Sequence, residues 1–407
     1  LCAASPSRRP TAVPSVAPPL AKDSNEPPSL VELARVFGTL GLTAFGGPAA
    51  HVALMREEFV SRRRWLDDAA FLDLVAATNL IPGPNSTELA LHLGHRRRGL
   101  AGLVVAGLAF VGPAALLTGL LAWAYVQYGR LPRSVALLQG VKPAMLAVIA
   151  HAVVGLAPTV LRGRTRSLLG VGALALALAG VSELVVLATA GVLSALVGAA
   201  SSSSGTARRG GAGLTLAAPF FGAAGLAGAP TPATVFEVFL RIGSALFGSG
   251  YVLLSFLRSE LVVKLGWLAE PQLLDAVAAG QVTPGPVFST ATFVGYVLAG
   301  APGALAATAG IFLPAFVLVA LSGRMVPRLR ASRFAGAFLD GLNAASLALM
   351  VATMWTLGRA SLVDPVSLAL GATACVLLIR FRVGATRVVL GCGLAGVALM
   401  ALGVMHG

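Results

Sequence analysis

One block of this chain occurs twice. Residues 37–84 recur without a gap at 239–286, 202 positions later, and 17 of the 48 aligned residues are identical. The identities include Phe37/Phe239, Gly41/Gly243, Phe45/Phe247, Gly46/Gly248, Arg56/Arg258, Glu58/Glu260, Trp65/Trp267 and Asp73/Asp275. Both copies end on Pro-Gly-Pro: Pro82, Gly83, Pro84 in the first and Pro284, Gly285, Pro286 in the second. Solenoid repeats run to roughly 20–50 residues. A period near half the chain, in a sequence this apolar, marks a duplicated membrane transport unit instead. Proline cannot continue a helix and restricts the residue before it, so each Pro-Gly-Pro forces a break. The expectation is two helical hairpins, 66–81 with 85–94 and 268–283 with 287–296, each entering the membrane and turning back. Backbone broken at that depth must be covered by protein or line a wet cavity.

Composition agrees with a membrane setting. Charged residues make up 11% and hydrophobic ones 57% of the chain, against roughly 25% and 45–50% in soluble domains. The 48 Gly and 24 Pro suit helices that approach closely and kink in lipid. The fold class expected is an all-α polytopic membrane protein of two homologous repeats, with about 10–13 membrane segments for the apolar stretches present. The divisions expected are a disordered tail at 1–29, a first repeat at 30–200, a flexible linker at 201–232 and a second repeat at 233–407. The tail is rich in Pro, Ala and Ser and has no apolar run, so it reads as no signal peptide. Within the linker region, 213–229 could cross, lie on the interface or pack as a lid. The net charge of +14 does not indicate nucleic acid as a partner. The arginines gather at the ends of apolar runs, at 62–64, 96–98 and 324–333, as membrane-flanking charge does. Cys2, Cys375 and Cys392 have no metal or redox spacing and read as small packing residues.

The same arginines bear on orientation. In the first half they flank the hairpin; in the second they fall one span later, at Arg324, Arg328, Arg330 and Arg333. A bias that changes sides favours inverted over parallel repeats. Inversion requires an odd number of crossings between Phe37 and Phe239.

Hydroxyl and amide groups follow each break: Asn85, Ser86 and Thr87 in one copy, Ser289 and Thr290 in the other. Unpaired N–H groups and the dipole at a helix start favour an anion, and two such starts would make an oxyanion site. The plainer reading is N-capping, which these residue types also serve. Lys142 sits deep in an apolar run, about 12 Å in at 1.5 Å per residue. There it faces a cavity or partner, or else snorkels to the interface. Its repeat counterpart is the neutral Asn343. Gating or coupling candidates are the break residues Gly46, Gly47 and Gly248, together with His51, whose counterpart is Leu253. Asp340 is a candidate counter-ion or proton carrier, and the recurring Arg56/Glu58 and Arg258/Glu260 are salt links or gates. Trp65 and Trp267 suit interfacial anchoring. Glu88 and His92 lie one turn apart, but two residues make no metal site. The sequence has no nucleotide-binding loop, dinucleotide fingerprint or nucleophile–base set, so no enzyme and no cofactor is expected.

Several runs resemble a known family. Phe45-Gly46-Gly47-Pro48-Ala49-Ala50-His51, Arg62-Arg63-Arg64-Trp65-Leu66 and Pro82-Gly83-Pro84-Asn85-Ser86 are similar to the first half of the chromate ion transporter family. Gly140-Val141-Lys142-Pro143 and Thr283-Pro284-Gly285-Pro286-Val287-Phe288-Ser289 also match its pattern. The resemblance covers roughly residues 30–405 and fits the long form, in which two homologous halves are fused. It implies a multi-pass secondary transporter of the bacterial inner membrane that expels chromate on the chemiosmotic gradient and confers chromate resistance. Sulfate, another tetrahedral dianion, is the expected competitor, and a transporter or channel for sulfate or another oxyanion is the alternative. Chromate and the lipid bilayer are the partners implied, with a homodimer left open.

Overall fold

The structure, a computed structural model, describes residues 28–44, 48–78, 81–129, 131–201, 228–246, 252–322 and 333–403, and among them there are helices and no strand. Gly46, Gly47, Gly248, the tail before residue 28, most of the linker, and Arg324, Arg328 and Arg330 lie outside the described residues.

The first half begins with α1 (Leu30–Thr43), started by the Ser29 side chain accepting from Glu32 N–H at 3.1 Å. Leu33, Val36, Phe37, Leu40 and Gly41 form its buried stripe, the spacing of one helix face. The second half repeats this in α8 (Pro232–Ala245), which buries Val235, Val238, Phe239, Ile242 and Gly243. Each stripe packs on the long helix of its own half, α1 on α4 (Asn85–Tyr128) and α8 on α11 (Thr290–Ser322). A Cβ on Gly41 would lie 2.5 Å from the Phe110 carbonyl oxygen, and one on Gly243 2.4 Å from that of Ile311. Glycine at these two identical positions lets the backbones meet.

The short elements also match between halves. α2 (Pro48–Arg56) widens into a π turn at Glu57–Arg62, and α9 (Leu253–Leu257) into one at Arg258–Lys264. α3 (Asp68–Thr78) and α10 (Glu270–Val282) then lead to the Pro-Gly-Pro turns. Beyond each turn the chain reverses once more inside the long helix. Arg98 and Gly99 (φ −142° and 60°) break α4, and Ala299 and Gly300 (φ −145° and 62°) break α11. Because Gly94 meets the Gly102 carbonyl and Gly295 that of Gly303, the two arms of each long helix pack side by side. The helical arms expected on either side of each Pro-Gly-Pro are present, as α3 and the start of α4 and as α10 and the start of α11, and each second arm ends at this second reversal.

The remaining helices exchange partners between halves. α5 (Pro132–Val160) packs on α13 (Pro365–Ile379) and α14 (Ala385–Ala401) of the second half, while α12 (Arg333–Ser361) packs on α6 (Arg164–Leu178) and α7 (Glu183–Ser201) of the first. Both crossings turn on glycine. A Cβ on Gly140 would lie 2.2 Å from the Cys392 carbonyl oxygen, and one on Gly341 2.2 Å from that of Ala190. The described residues include four helices long and apolar enough to cross a membrane: Asn85–Tyr128, Pro132–Val160, Val287–Ser322 and Phe334–Arg359. Shorter apolar helices at Glu183–Ala199, Pro365–Ile379 and Ala385–Ala401 fall under the ~20 residues of a full span.

Candidate functional site

Each Pro-Gly-Pro turn is tied to the opposite half. Gly83 N–H donates to the Leu246 carbonyl at 2.7 Å, and Gly285 N–H to the Ala44 carbonyl at 2.8 Å. Leu246 and Ala44 are the residues that end α8 and α1. The hairpin turn of one repeat therefore bonds to the C-terminal end of the first helix of the other. Both glycines have positive φ, 143° at Gly83 and 93° at Gly285, a region that side chains disfavour.

From the second turn a line of polar groups runs along the contact between α4 and α10. Thr118 of α4 donates to the Ala114 carbonyl at 2.7 Å and lies 3.2 Å from both the Thr283 and Ser289 hydroxyls. Two turns further along α4, about 10 Å away, the Tyr125 hydroxyl donates to Asp275 Oδ2 at 3.1 Å. Lys142 reaches the same carboxylate from α5, its Nζ 3.7 Å from Oδ1. The Asp275 side chain is only 5% exposed and that of Lys142 22%. Lys142 therefore faces a buried partner in the other repeat and does not reach outward alone.

The ladder exists in one copy only. The repeat counterparts of Thr118, Thr283 and Lys142 are Val319, Ile81 and Asn343. Ile81 and Val319 pack with Leu91, Leu103 and Ala315 in an apolar cluster. Asp73, the counterpart of Asp275, is exposed. The physical reason is packing: α10 lies against α5, α14 and α4, whereas α3 lies against α4 and α2. Identical carboxylates thus occupy opposite environments.

The hydroxyls after the breaks do not act as side-chain caps. The residue before α4 is Pro84, with no side-chain cap bond, and Pro286 stands likewise before the short 3-10 turn at Val287–Ser289. Thr290 donates to the Val287 carbonyl at 2.8 Å. Thr87 is fully buried and its hydroxyl has no hydrogen-bond partner. Beside it, in the first turn of α4, Glu88 is fully buried with both carboxyl oxygens unpartnered. A Cβ on Gly83 would meet Glu88 Oε1 at 2.4 Å.

A family model described as chromate transporter matches residues 31–196 and again 233–397. The chain belongs to the chromate transporter family. Its relatives include the chromate transport protein of Cupriavidus metallidurans, 30% identical over 382 residues, covering 93% of this chain and 94% of that one. The chromate transport protein of Pseudomonas aeruginosa is 32% identical over 391 residues, covering 91% and 92%. An uncharacterized transporter of Methanocaldococcus jannaschii is 26% identical over 312 residues, 72% and 75% of the two chains. No solved structure matches. This family member is a multi-pass helical membrane protein, and its family is one of transport proteins, not enzymes. Among the described residues no group of three or more His, Cys, Asp or Glu could hold a metal ion.

In this chromate transporter family member the other expected residues take mixed positions. Arg56 pairs with Asp68 at 2.6 Å and Arg258 with Glu270 at 2.7 Å. These are equivalent links that tie each π turn to the start of α3 or α10. Glu58 holds Arg62 and Arg63 at 2.9 and 2.6 Å, and Glu260 holds Lys264. The recurring Arg and Glu therefore do not pair with each other. His51 is buried and its Nε2 donates to the Ala44 carbonyl at 3.1 Å, the same oxygen that holds Gly285. Asp340 pairs with Arg166 of the other half. Its counter-ion is thus an arginine at the start of α6, not Lys142. Asp275, Tyr125, Thr118 and Thr283 were absent from the sequence-derived site. The available signal was the recurrence of Asp73/Asp275 at the centre of an apolar helix, where a carboxylate is costly without a partner.

Proposed function

We propose that this protein is a secondary transporter that exports chromate, a tetrahedral dianion, across the bacterial inner membrane. The observation that carries this reading is Lys142, a cation held at the contact between repeats on a buried aspartate that continues into the hydroxyl ladder toward Pro284, Gly285 and Pro286. The family, and its relatives from C. metallidurans and P. aeruginosa, named chromate transport proteins, support chromate as the anion. The route uses Lys142, Thr118, Thr283, Ser289 and Thr290, with Asn85, Ser86, Thr87 and Asn343 on the opposite copy and the Pro-Gly-Pro glycines as hinges. Direction follows from charge. Moving one elementary charge is worth about 2.3 kcal/mol per 100 mV, so a load of net negative charge is driven out of a negative interior. The exchange of hairpin contacts between halves supports inverted repeats, with His51, the break glycines and the Arg–carboxylate links governing access.

Lys142→Gln is the first test. Two unit charges at 4 Å attract by about 4 kcal/mol at an effective dielectric of 20. Desolvation cancels much of the doubled term for a dianion, leaving an expected loss of about one to two orders of magnitude in affinity. Lys142→Arg should keep part of it, having kept the charge. The measurement is apparent chromate affinity per folded transporter, with radiolabelled flux in inverted vesicles, sulfate as competitor and an uncoupler. An unchanged affinity in Lys142→Gln removes the anion role; flux insensitive to the uncoupler and without accumulation indicates a passive channel. Inversion is tested separately. Reporter fusions after Arg98 and after Arg333 should both report cytoplasm, while one near Lys264 should not; cytoplasmic signal at Lys264 means parallel repeats.

A further inference from the structure

We infer that Asp275 is the proton-carrying group of the transporter, so that an anion bound at Lys142 is taken up together with one proton. The inference rests on the reading of Lys142 as an anion-binding residue. It starts from the geometry of the resting pair. A charge-assisted N–H···O⁻ bond is about 2.7–2.9 Å long, yet Lys142 Nζ stands 3.7 Å from Asp275 Oδ1, and that oxygen has no hydrogen-bond partner. The other oxygen accepts from Tyr125. Lys142 is thus neutralised by Asp275 without being locked to it, and the ammonium can turn to another anion.

When it does, Asp275 is left as a buried carboxylate beside a dianion, with its cation withdrawn. Such a state is strongly unfavourable. It is relieved when Asp275 takes a proton from water: an O–H bond forms on the carboxyl, hydroxide is neutralised in the bulk, and Lys142 keeps its charge. Loading therefore adds one proton with each dianion, and the loaded site carries one negative charge more than the resting pair instead of two. The groups acting on Asp275 are Lys142 from α5 and Tyr125 from α4. Of the neighbouring described elements, α14 carries the exposed Arg387, and the π turn carries Arg258 together with Glu260 and Lys264, which pair with each other. Arg258 in the π turn is held by Glu270 at the start of α10, α11 places Phe293 against the Tyr125 ring, and α14 places Thr386 on the Gln281 carbonyl. The other candidate carboxyl is Glu88, buried with both oxygens unpartnered but on the first turn of α4, with no cation to exchange.

The test is calorimetric titration of the purified full-length protein with chromate at pH 8, where chromate is the dianion, in buffers of different ionisation enthalpy. The wild type should take up close to one proton per chromate bound, and by linkage its affinity should rise about tenfold for each unit the pH is lowered. Asp275→Asn should bind chromate with no proton uptake and little pH dependence, while Glu88→Gln should keep the uptake. Should Asp275→Asn not fold, reversal potentials of wild-type proteoliposomes decide: one net charge per chromate supports the coupling and two overturn it. Uptake that persists in Asp275→Asn, or is lost in Glu88→Gln alone, overturns the assignment. Wild-type binding unaffected by Lys142→Gln overturns the anion site itself, a distinct result, and the coupling falls with it.

Discussion

Gly83→Val and Gly285→Val are each expected to abolish chromate transport while leaving membrane insertion intact. Both residues occupy positive φ, where a β-branched side chain is strained by about 1–3 kcal/mol. Each also donates the backbone bond that joins its turn to the opposite repeat. The two sites differ in how they can yield. A Cβ at Gly285 would sit 2.6 Å from Ala114 Cβ and 3.1 Å from the Gly41 carbonyl oxygen, which are parts of packed helices. At Gly83 the nearest atom is Glu88 Oε1 at 2.4 Å, the far end of a movable side chain. Alanine should therefore be tolerated better at Gly83 than at Gly285. Flux per inserted molecule in vesicles checks both statements. Normal transport by the two valine variants would show that the turns do not shape the route.

The second large effect concerns folding. Gly140→Leu or Gly341→Leu should each deplete folded protein, because the added Cβ meets backbone and not a rotatable side chain. At Gly140 the Cys392 carbonyl oxygen lies 2.2 Å away and the Gly396 Cα 3.1 Å; at Gly341 the Ala190 carbonyl oxygen lies 2.2 Å away and the Ser194 Cβ 2.7 Å. Overpacking in a core typically costs about 1–3 kcal/mol when neighbours can shift. Here the neighbours are helix backbones held by close small-residue packing, which in lipid is a main source of helix association. The cost should therefore exceed that range. Thermal unfolding of detergent-purified protein reads it directly, with a fall in midpoint and yield expected for either variant. A Gly140→Leu protein that melts like the wild type would show that the exchanged crossing is not a tight contact.

Much of the architecture was legible because it rests on local chemistry. The duplication, the breaks at Pro82–84 and 284–286, the return arms and the all-helical class follow from proline sterics, apolar length and the repetition of both. Lys142 was legible for a similar reason: a lone cation deep in an apolar run demands an explanation. What it faces was not legible. Asp275 and its copy Asp73 are identical in sequence, and only the placement of α10 against α5 and α14 buries the one while the other stays exposed. Arg56 and Glu58, adjacent in the pattern, were separated by the wide π turn and took partners of their own. Asp340, near Lys142 in the repeat alignment, belongs to Arg166.

The sequence by itself determined that this is a duplicated, broken-helix membrane protein of the chromate transporter family, since motif, period and composition are properties of the chain. Tertiary structure alone decided which halves touch. The exchange of α5 and α12 between repeats, and the bonds from Gly83 to Leu246 and from Gly285 to Ala44, join residues more than 130 positions apart. Contacts at that separation are selected by the fit of whole helix faces and by burial of backbone polar groups, which no local pattern encodes. The same packing turned one of two equal carboxylates into a buried partner for Lys142 and left the other exposed.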